Sequence, residues 1–283
     1  MQRIVFYLFL NLTLLSSALA GGRLPATGGV TQIEGAGGGG LVPWALISGY
    51  GTRDEVGGSA FYTRVNTPGF SLTSVGAAVG VFDRVELSFA HQSFDLGDTV
   101  PNTHIGQNIL GLKVKLYGDA VFDQDRLCPQ IAAGVMVKRN HDYDFVPTLL
   151  GAMHGNDVEP YLAATKVWLN GPFGRSLLLN GTLRYTRANQ FGILGFGGDR
   201  GDTRKLRAEA SAGLFLTDSV IVGVEYRQKN DNLSVFKEDN AADAYVAWVP
   251  NKHFSVALAH AELGNIANKK RQRGPYLSLK ADY

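Results

Sequence analysis

Four groups of residues have the types and spacing to do chemistry. The run Gly35-Ala36-Gly37-Gly38-Gly39-Gly40 satisfies the spacing of a dinucleotide-binding fingerprint, and Asp54 follows where an acidic partner for a ribose is wanted. That motif works by aiming a helix N-terminus at a pyrophosphate. Here Leu41-Val42-Pro43-Trp44 and Gly49-Tyr50-Gly51 continue as strand and turn, so the glycines read instead as a flexible loop or a close backbone approach. His141, Asp142, Asp144, His154 and Asp157 share one stretch and offer nitrogen and oxygen ligands for a divalent ion, although a hydrated loop has the same composition. His91, His253 and His260 fall in strand-like segments, and a hydrolase would need a nucleophile held by such a histidine. Ser88 and Ser93 stand near His91 without a diagnostic spacing. The single cysteine, Cys128, sits beside Pro129 with no activating base in view and reads as passive. No catalytic residue, metal or cofactor is assigned, and no enzyme is expected.

The charged residues that alternate with apolar ones carry more information. In Arg84 to Phe94, Val85, Leu87 and Phe89 alternate with Arg84, Glu86, Ser88 and Gln92, the period-2 pattern of a strand with one apolar face. The pattern recurs around Leu110 to Leu116, Ile131 to Lys138, Leu177 to Tyr185, Lys205 to Leu216 and Val220 to Arg227. Less regular segments fall at Ser59 to Val65, Phe70 to Phe82, Tyr161 to Leu169, Ala242 to Val249, Phe254 to His260 and Pro275 to Tyr283, and Leu41 to Tyr50 brings the count to thirteen. Many are close to the 9 to 11 residues that a tilted strand needs to cross a bilayer. Their connections alternate short and long, as in outer-membrane barrels. Gly118 to Leu127 breaks that rule by being too long for a turn.

If the strands span a membrane, a Lys or Arg facing lipid at the midplane costs about 2 to 4 kcal/mol, so the charged face must turn to the lumen. The lumen-lining candidates are then Arg64, Arg84, Glu86, Lys113, Lys115, Lys138, Lys166, Arg184, Lys205, Arg207, Glu209, Glu225 and Arg227. With Lys280 the set holds eleven cations, against Glu86, Glu209, Glu225, Asp243 and Asp282, so a basic interior is expected. Two readings stay open: a positive water-filled lumen that concentrates anions, or ion pairs that fill the barrel.

Composition bounds these readings. Of 283 residues 45% are hydrophobic and only 18% charged, which excludes a disordered chain, and 35 glycines disfavour helix interiors. A mean hydropathy of -0.02 excludes a polytopic helical membrane protein. The formal net charge of +2 leaves no excess for nucleic acid. Arg3, the apolar Ile4 to Leu15 and Ala18-Leu19-Ala20 form a secretory signal cleaved after Ala20. Tyr283 ends an alternating strand with Ala281, Leu279 and Leu277 on its face, which resembles the C-terminal assembly signal of bacterial outer-membrane barrels.

Ala26 to Glu55, ATGGVTQIEGAGGGGLVPWALISGYGTRDE, followed by Phe82-Asp83-Arg84-Val85-Glu86-Leu87-Ser88, resembles an uncharacterised proteobacterial domain-of-unknown-function family, number 3034. The resemblance runs the whole mature chain and implies an exported, envelope-associated protein without assigned catalytic residues or substrate.

The expectation is an all-β, transmembrane, antiparallel up-and-down barrel of 12 to 14 strands. Both termini inside require an even count, which Thr27 to Glu34 can supply as a fourteenth strand and which omission of a weak segment reduces to twelve. Residues 1–20 are the signal, 21–40 a first strand or plug, and 41–283 the barrel. The expected role is a porin-like channel for small solutes in the outer membrane, with a preference for anions if the lumen is open, and with outer-membrane lipid and the barrel-assembly machinery as partners. A non-conducting scaffold or adhesin is the alternative class, and an outer-membrane lipid hydrolase a third.

Overall fold

A computed structural model describes residues 26–283, so the expected signal segment lies outside the described residues. Two short strands, β1 (Val30–Thr31) and β2 (Gly37–Gly38), pair with each other. Twelve more close into an antiparallel barrel: β3 (Val56–Asn66), β4 (Ser71–Val81), β5 (Val85–Asp95), β6 (His104–Tyr117), β7 (Gln130–Asn140), β8 (Asn156–Trp168), β9 (Leu177–Thr186), β10 (Lys205–Thr217), β11 (Val220–Arg227), β12 (Ala241–Asn251), β13 (Phe254–Glu262) and β14 (Arg273–Asp282). Each pairs with its neighbours in sequence, and β14 returns to β3 with Leu279 opposite Tyr62. Closure removes the exposed edge of an open sheet. The last residue completes the seam: Tyr283 and Gly58 each donate a backbone N–H to the other's carbonyl at 2.8 Å.

Alternation sorts each strand into two faces, with the polarity of a water-soluble sheet reversed. In β9, Leu179, Leu183 and Tyr185 are exposed on the outer wall while Asn180, Thr182, Arg184 and Thr186 are buried inside. Val75, Leu87, Leu110, Val137, Leu162, Val224 and Leu258 continue the outer apolar surface around the barrel. Such a surface is stable against hydrocarbon and unstable against water.

The connections sort by end. Where β3 begins and β14 finishes, the links 82–84, 218–219 and 252–253 are tight, whereas the opposite end carries 141–155, 187–204, 228–240 and 263–272. Phe82 and Asp83 hold φ of 56° and 48°, and Arg84 N–H donates to the Val81 carbonyl at 3.0 Å. Positive φ at both central residues is the type I′ turn that matches strand twist. The overlong link 118–129 folds against the wall. Ala120 and Val121 are buried, Val167 N–H donates to the Ala120 carbonyl at 2.8 Å, and the Gln124 amide donates to the Val167 carbonyl at 2.9 Å.

The twelve barrel strands match twelve of the thirteen sequence segments, and the remaining one is corrected. Leu41 to Tyr50 is not a strand of the wall, and neither is Thr27 to Glu34. Residues 26–50 are all buried and lie inside the barrel, which begins at Val56 rather than at Leu41. Leu41, Val42, Trp44, Leu46 and Ile47 need cover as strand residues would, but this backbone bonds to wall side chains instead of to a ladder. Ala45 N–H donates to Thr165 Oγ1 at 2.8 Å, and Gln130 Nε2 donates to the Ala45 carbonyl at 2.6 Å. From the opposite end, residues 188–198 also fold inward and are buried.

Candidate functional site

The lumen is where the polar faces of the strands converge, and its chemistry is that of ion pairs around a threaded segment. Six charged side chains meet there: Glu34 from the lumen segment, Lys138 on β7, Glu159 on β8, Arg184 on β9, Glu209 on β10 and Arg227 on β11. None is more than 3% exposed. Arg184 Nε lies 2.6 Å from Glu209, its Nη1 3.3 Å from Glu159 and its Nη2 3.5 Å from Glu34. Arg227 reaches Glu34 at 3.0 Å and Glu209 at 3.3 Å, while Lys138 lies 2.7 Å from Glu159 and in close contact with Glu34. Three carboxylates therefore neutralise three cations. Burial alone would raise the Glu34 carboxyl pKa, but Arg227, Lys138 and Arg184 outweigh it and hold the group well below the usual carboxylate range.

Two further carboxylates fasten the segment's backbone. Glu86 accepts Gly37 N–H at 3.0 Å and Ser48 N–H at 2.8 Å, and its ion-pair partner Lys113 donates to the carbonyls of Gly37 and Leu46 at 2.9 and 2.7 Å. Glu225 accepts Leu41 N–H and Ser211 Oγ–H, both at 2.6 Å. Trp44 Nε1 donates to Ser211 Oγ at 2.9 Å. The fingerprint-like glycines are thus a close backbone approach to lumenal carboxylates: a Cβ on Gly39 would fall 1.9 Å from Glu225 Oε1. Above the cluster, Lys138 donates to the Phe191 carbonyl at 3.1 Å, the Arg227 guanidinium stacks 4.3 Å from the Phe191 ring centroid, and Asn140 donates to the Ile193 carbonyl at 2.7 Å. Both inward-folding segments therefore close on one ion cluster.

Of the residues expected in the lumen, Glu86, Lys113, Lys138, Arg184, Glu209, Glu225 and Arg227 lie buried on the inner wall. Arg207 and Lys205 occupy the same face of β10 near its long-loop end, Arg207 half-buried with Asn230 at 2.8 Å and Lys205 exposed. Lys115 is half-buried at the end where the chain terminates, 2.7 Å from Asp83.

Three positions are corrected. Arg64 faces outward, bonded to Asn66 at 3.1 Å and Thr73 at 3.2 Å near the long-loop rim, where an outward charge costs little. Arg84 is exposed in the Phe82–Asp83 turn. Lys166 lies on the outward parity of β8, buried because its ammonium donates to the Asp123 carbonyl of the overlong link. The basic-interior expectation fails with them, since Glu34, Asp157 and Glu159 add buried acid. Sequence parity could have found Glu159, two residues before the inward Tyr161, had β8 been started at Asn156.

The other chemistry-bearing groups are dispersed. His154 Nε2 sits 2.9 Å from Asp202 Oδ1, and this hydrogen bond, ahead of Arg187, holds the Asp202 carboxyl below its usual range against a small burial effect. Asp142 accepts Gly106 N–H at 2.6 Å, and Asp157 binds Arg187 and Arg204. Among the described residues no three His, Cys, Asp or Glu side chains form a metal-holding group. His91 bonds Asn108 on the outer face at 2.7 Å, while Ser88 points inward.

A family model described as a protein of unknown function (DUF3034) matches residues 27–280, which takes in both the lumen segment and the barrel. The chain belongs to this family. No curated protein matches this DUF3034 chain in sequence. Among solved structures it is similar to KdgM porin, with a TM-score of 0.51 and 9% identity over 80% of this chain and 99% of that one. KdgM porin in complex with disordered oligogalacturonate gives a TM-score of 0.50, 9% identity and the same coverage. The COG4313 outer membrane channel of Pseudomonas putida F1 aligns at a TM-score of 0.44 and 11% identity over 86% of this chain and 96% of that one. At such identities the likeness to KdgM porin is one of fold: the DUF3034 chain is a porin-like, twelve-stranded closed barrel.

Proposed function

We propose that this protein is an outer-membrane channel for small solutes whose lumen is closed at rest by its own residues 26–50. The observation that carries the reading is the kind of contact holding that segment. Carboxylates, ammonium groups and amides of the wall bind its backbone, contacts that water can replace, while Val30, Ile33, Leu41, Val42, Trp44 and Leu46 add a buried apolar cluster that keeps the closed lumen dry. The end with the tight turns, where β3 begins and β14 finishes, faces the periplasm in this reading, and the long loops face outward.

The test is single-channel recording on the mature protein and on a variant lacking residues 26–50. The wild type is expected to be closed for most of the record and the deletion variant open. Without the segment, Glu86, Asp157, Glu159, Glu209, Glu225, Asp243 and Asp282 face Lys113, Lys138, Arg184, Arg227 and Lys280 on the inner wall. With Arg207 and Lys205 on the same face nearer the rim, and Lys115 balanced by Asp83, seven acids stand against seven bases, which predicts little charge selectivity in place of the anion preference expected from sequence. A folded deletion variant without conductance would overturn the channel reading. It would favour the second one, a non-conducting envelope barrel, which the complete burial of residues 26–50 supports.

The same proposal covers export and assembly: cleavage after Ala20, insertion with the barrel-assembly machinery, and lipid around the outer wall. Tyr283, exposed at the β14–β3 seam, is the assembly signal in this reading. Tyr283→Asp is expected to cut the heat-modifiable folded barrel in outer-membrane fractions severely, while Glu262→Ala, at an exposed site on β13, leaves it near wild type. Equal amounts from both variants would remove Tyr283 from that role.

A further inference from the structure

The charge balance of the lumen has one place where it does not close. Glu225 on β11 and Asp243 on β12 stand directly opposite each other on neighbouring strands, both inward and buried. Among the described residues no cation forms an ion pair with either. Neither Asp243 carboxylate oxygen, at 6% exposure, nor the hydroxyl of the buried Tyr245 has a well-aligned hydrogen-bond partner, and the buried Tyr276 hydroxyl has only the hydroxyls of Thr63 and Ser278 beside it. Asp243 and Tyr276 converge on the lumen segment: a Cβ on Gly40 would meet Tyr276 Oη at 3.2 Å and Asp243 Oδ2 at 3.4 Å. Glu225 abuts the preceding Gly39.

Two buried carboxylates facing each other without a countercharge are not stable, because neither is solvated and each repels the other. The site must hold positive charge. Glu225 already accepts Leu41 N–H and Ser211 Oγ–H, so a proton shared between the two carboxyls would leave one Asp243 oxygen unbonded, whereas a hard cation would take oxygens of both acids together. We propose that Glu225, Asp243 and Tyr276, beside Gly39 and Gly40, form a binding site for a hard cation such as Ca²⁺, which ties β11, β12 and β14 to the lumen segment. With two carboxylates instead of the larger sets of tight sites, its affinity belongs in the weak extracellular range of about 0.1 to 1 mM. The site does not depend on whether the barrel conducts.

The structure supplies a reporter for this site. Trp44 Nε1 donates to Ser211 Oγ, which donates to Glu225 Oε1, so Trp44 is two hydrogen bonds from the proposed cation. Trp168→Phe and Trp248→Phe leave Trp44 as the sole tryptophan, since the chain has three. The folded mature protein, stripped with a chelator, is titrated with Ca²⁺ and with choline chloride at matched ionic strength. The expected result is a saturable change in Trp44 emission with Ca²⁺ alone, abolished by Asp243→Asn. If that variant does not fold, Glu225→Gln serves the same purpose, with heat-modifiability as the check on folding. Absence of a saturable Ca²⁺ response in the wild type overturns the proposal, as does an unchanged response in a folded variant. A response to pH alone, with none to Ca²⁺, assigns the charge to a proton and overturns it equally.

Discussion

Glu34→Ala is expected to unlock residues 26–50 while the barrel stays folded. Glu34 is the one acid of the central cluster that belongs to the lumen segment, and three wall cations, Lys138, Arg184 and Arg227, converge on it. Without it those cations keep only Glu159 and Glu209, so one buried positive charge is left uncompensated. Removing one partner from a buried ion cluster costs roughly 3 to 5 kcal/mol. The wall can recover much of that by admitting water and anions, but only if the segment moves aside. Hydrogen exchange reads the outcome: the amides of Gly37, Leu41, Ala45 and Ser48, all bound to wall side chains, should lose protection while those of the strands keep it. Glu262→Ala, at an exposed site on β13, is the control. Unchanged exchange in Glu34→Ala would show that Glu86 and Glu225 alone hold the segment.

Acid should not reproduce this effect under mild conditions. A carboxyl whose folded pKa is depressed stabilises the protein above its unfolded pKa, and that stability is lost only as pH falls through the lowered folded value. Glu34 lies well below the usual range, so the segment is expected to remain locked through about pH 5. Release there would point to a different titrating group.

What could be read from sequence is what alternation encodes. The outward Leu179 and Leu183 and the inward Arg184 follow from period 2, and the twelve wall strands follow from repeating that reading along the chain. Alternation cannot tell what covers a residue. Leu41 to Tyr50 carries enough apolar side chains to resemble a strand, and only the wall's polar side chains decide that its backbone bonds there. Arg64 fails for another reason: the rule that charge faces the lumen holds at mid-membrane and lapses at the rim where this residue sits. Lys166 fails because the link 118–129, whose length was already anomalous, folds over it. Glu34 was invisible as a partner of Arg184 and Arg227 because it is 150 or more residues distant in sequence and belongs to no wall strand.

Gly39→Val is expected to expel the segment by sterics instead of charge. The position has no left-handed φ, so the cost is collision: a Cβ would stand 1.9 Å from Glu225 Oε1 and 2.5 Å from its carboxyl carbon. Glu225 cannot withdraw freely, because Leu41 N–H and Ser211 Oγ–H both bind it at 2.6 Å and Trp44 hangs from that serine. Either the carboxylate leaves these donors, each lost bond exposing a buried group at roughly 1 to 3 kcal/mol, or the segment backs out of the barrel. Both routes move Trp44 from its buried site, so its emission should shift to longer wavelength in the single-tryptophan background. Open time in single-channel recordings should rise together with that shift. Gly181→Val on the outer face of β9 is the matched control, since a Cβ there meets nothing within 4 Å. Wild-type emission and a closed record from folded Gly39→Val would mean that the lumen has slack at Glu225 and that the glycine run is not what seats the segment.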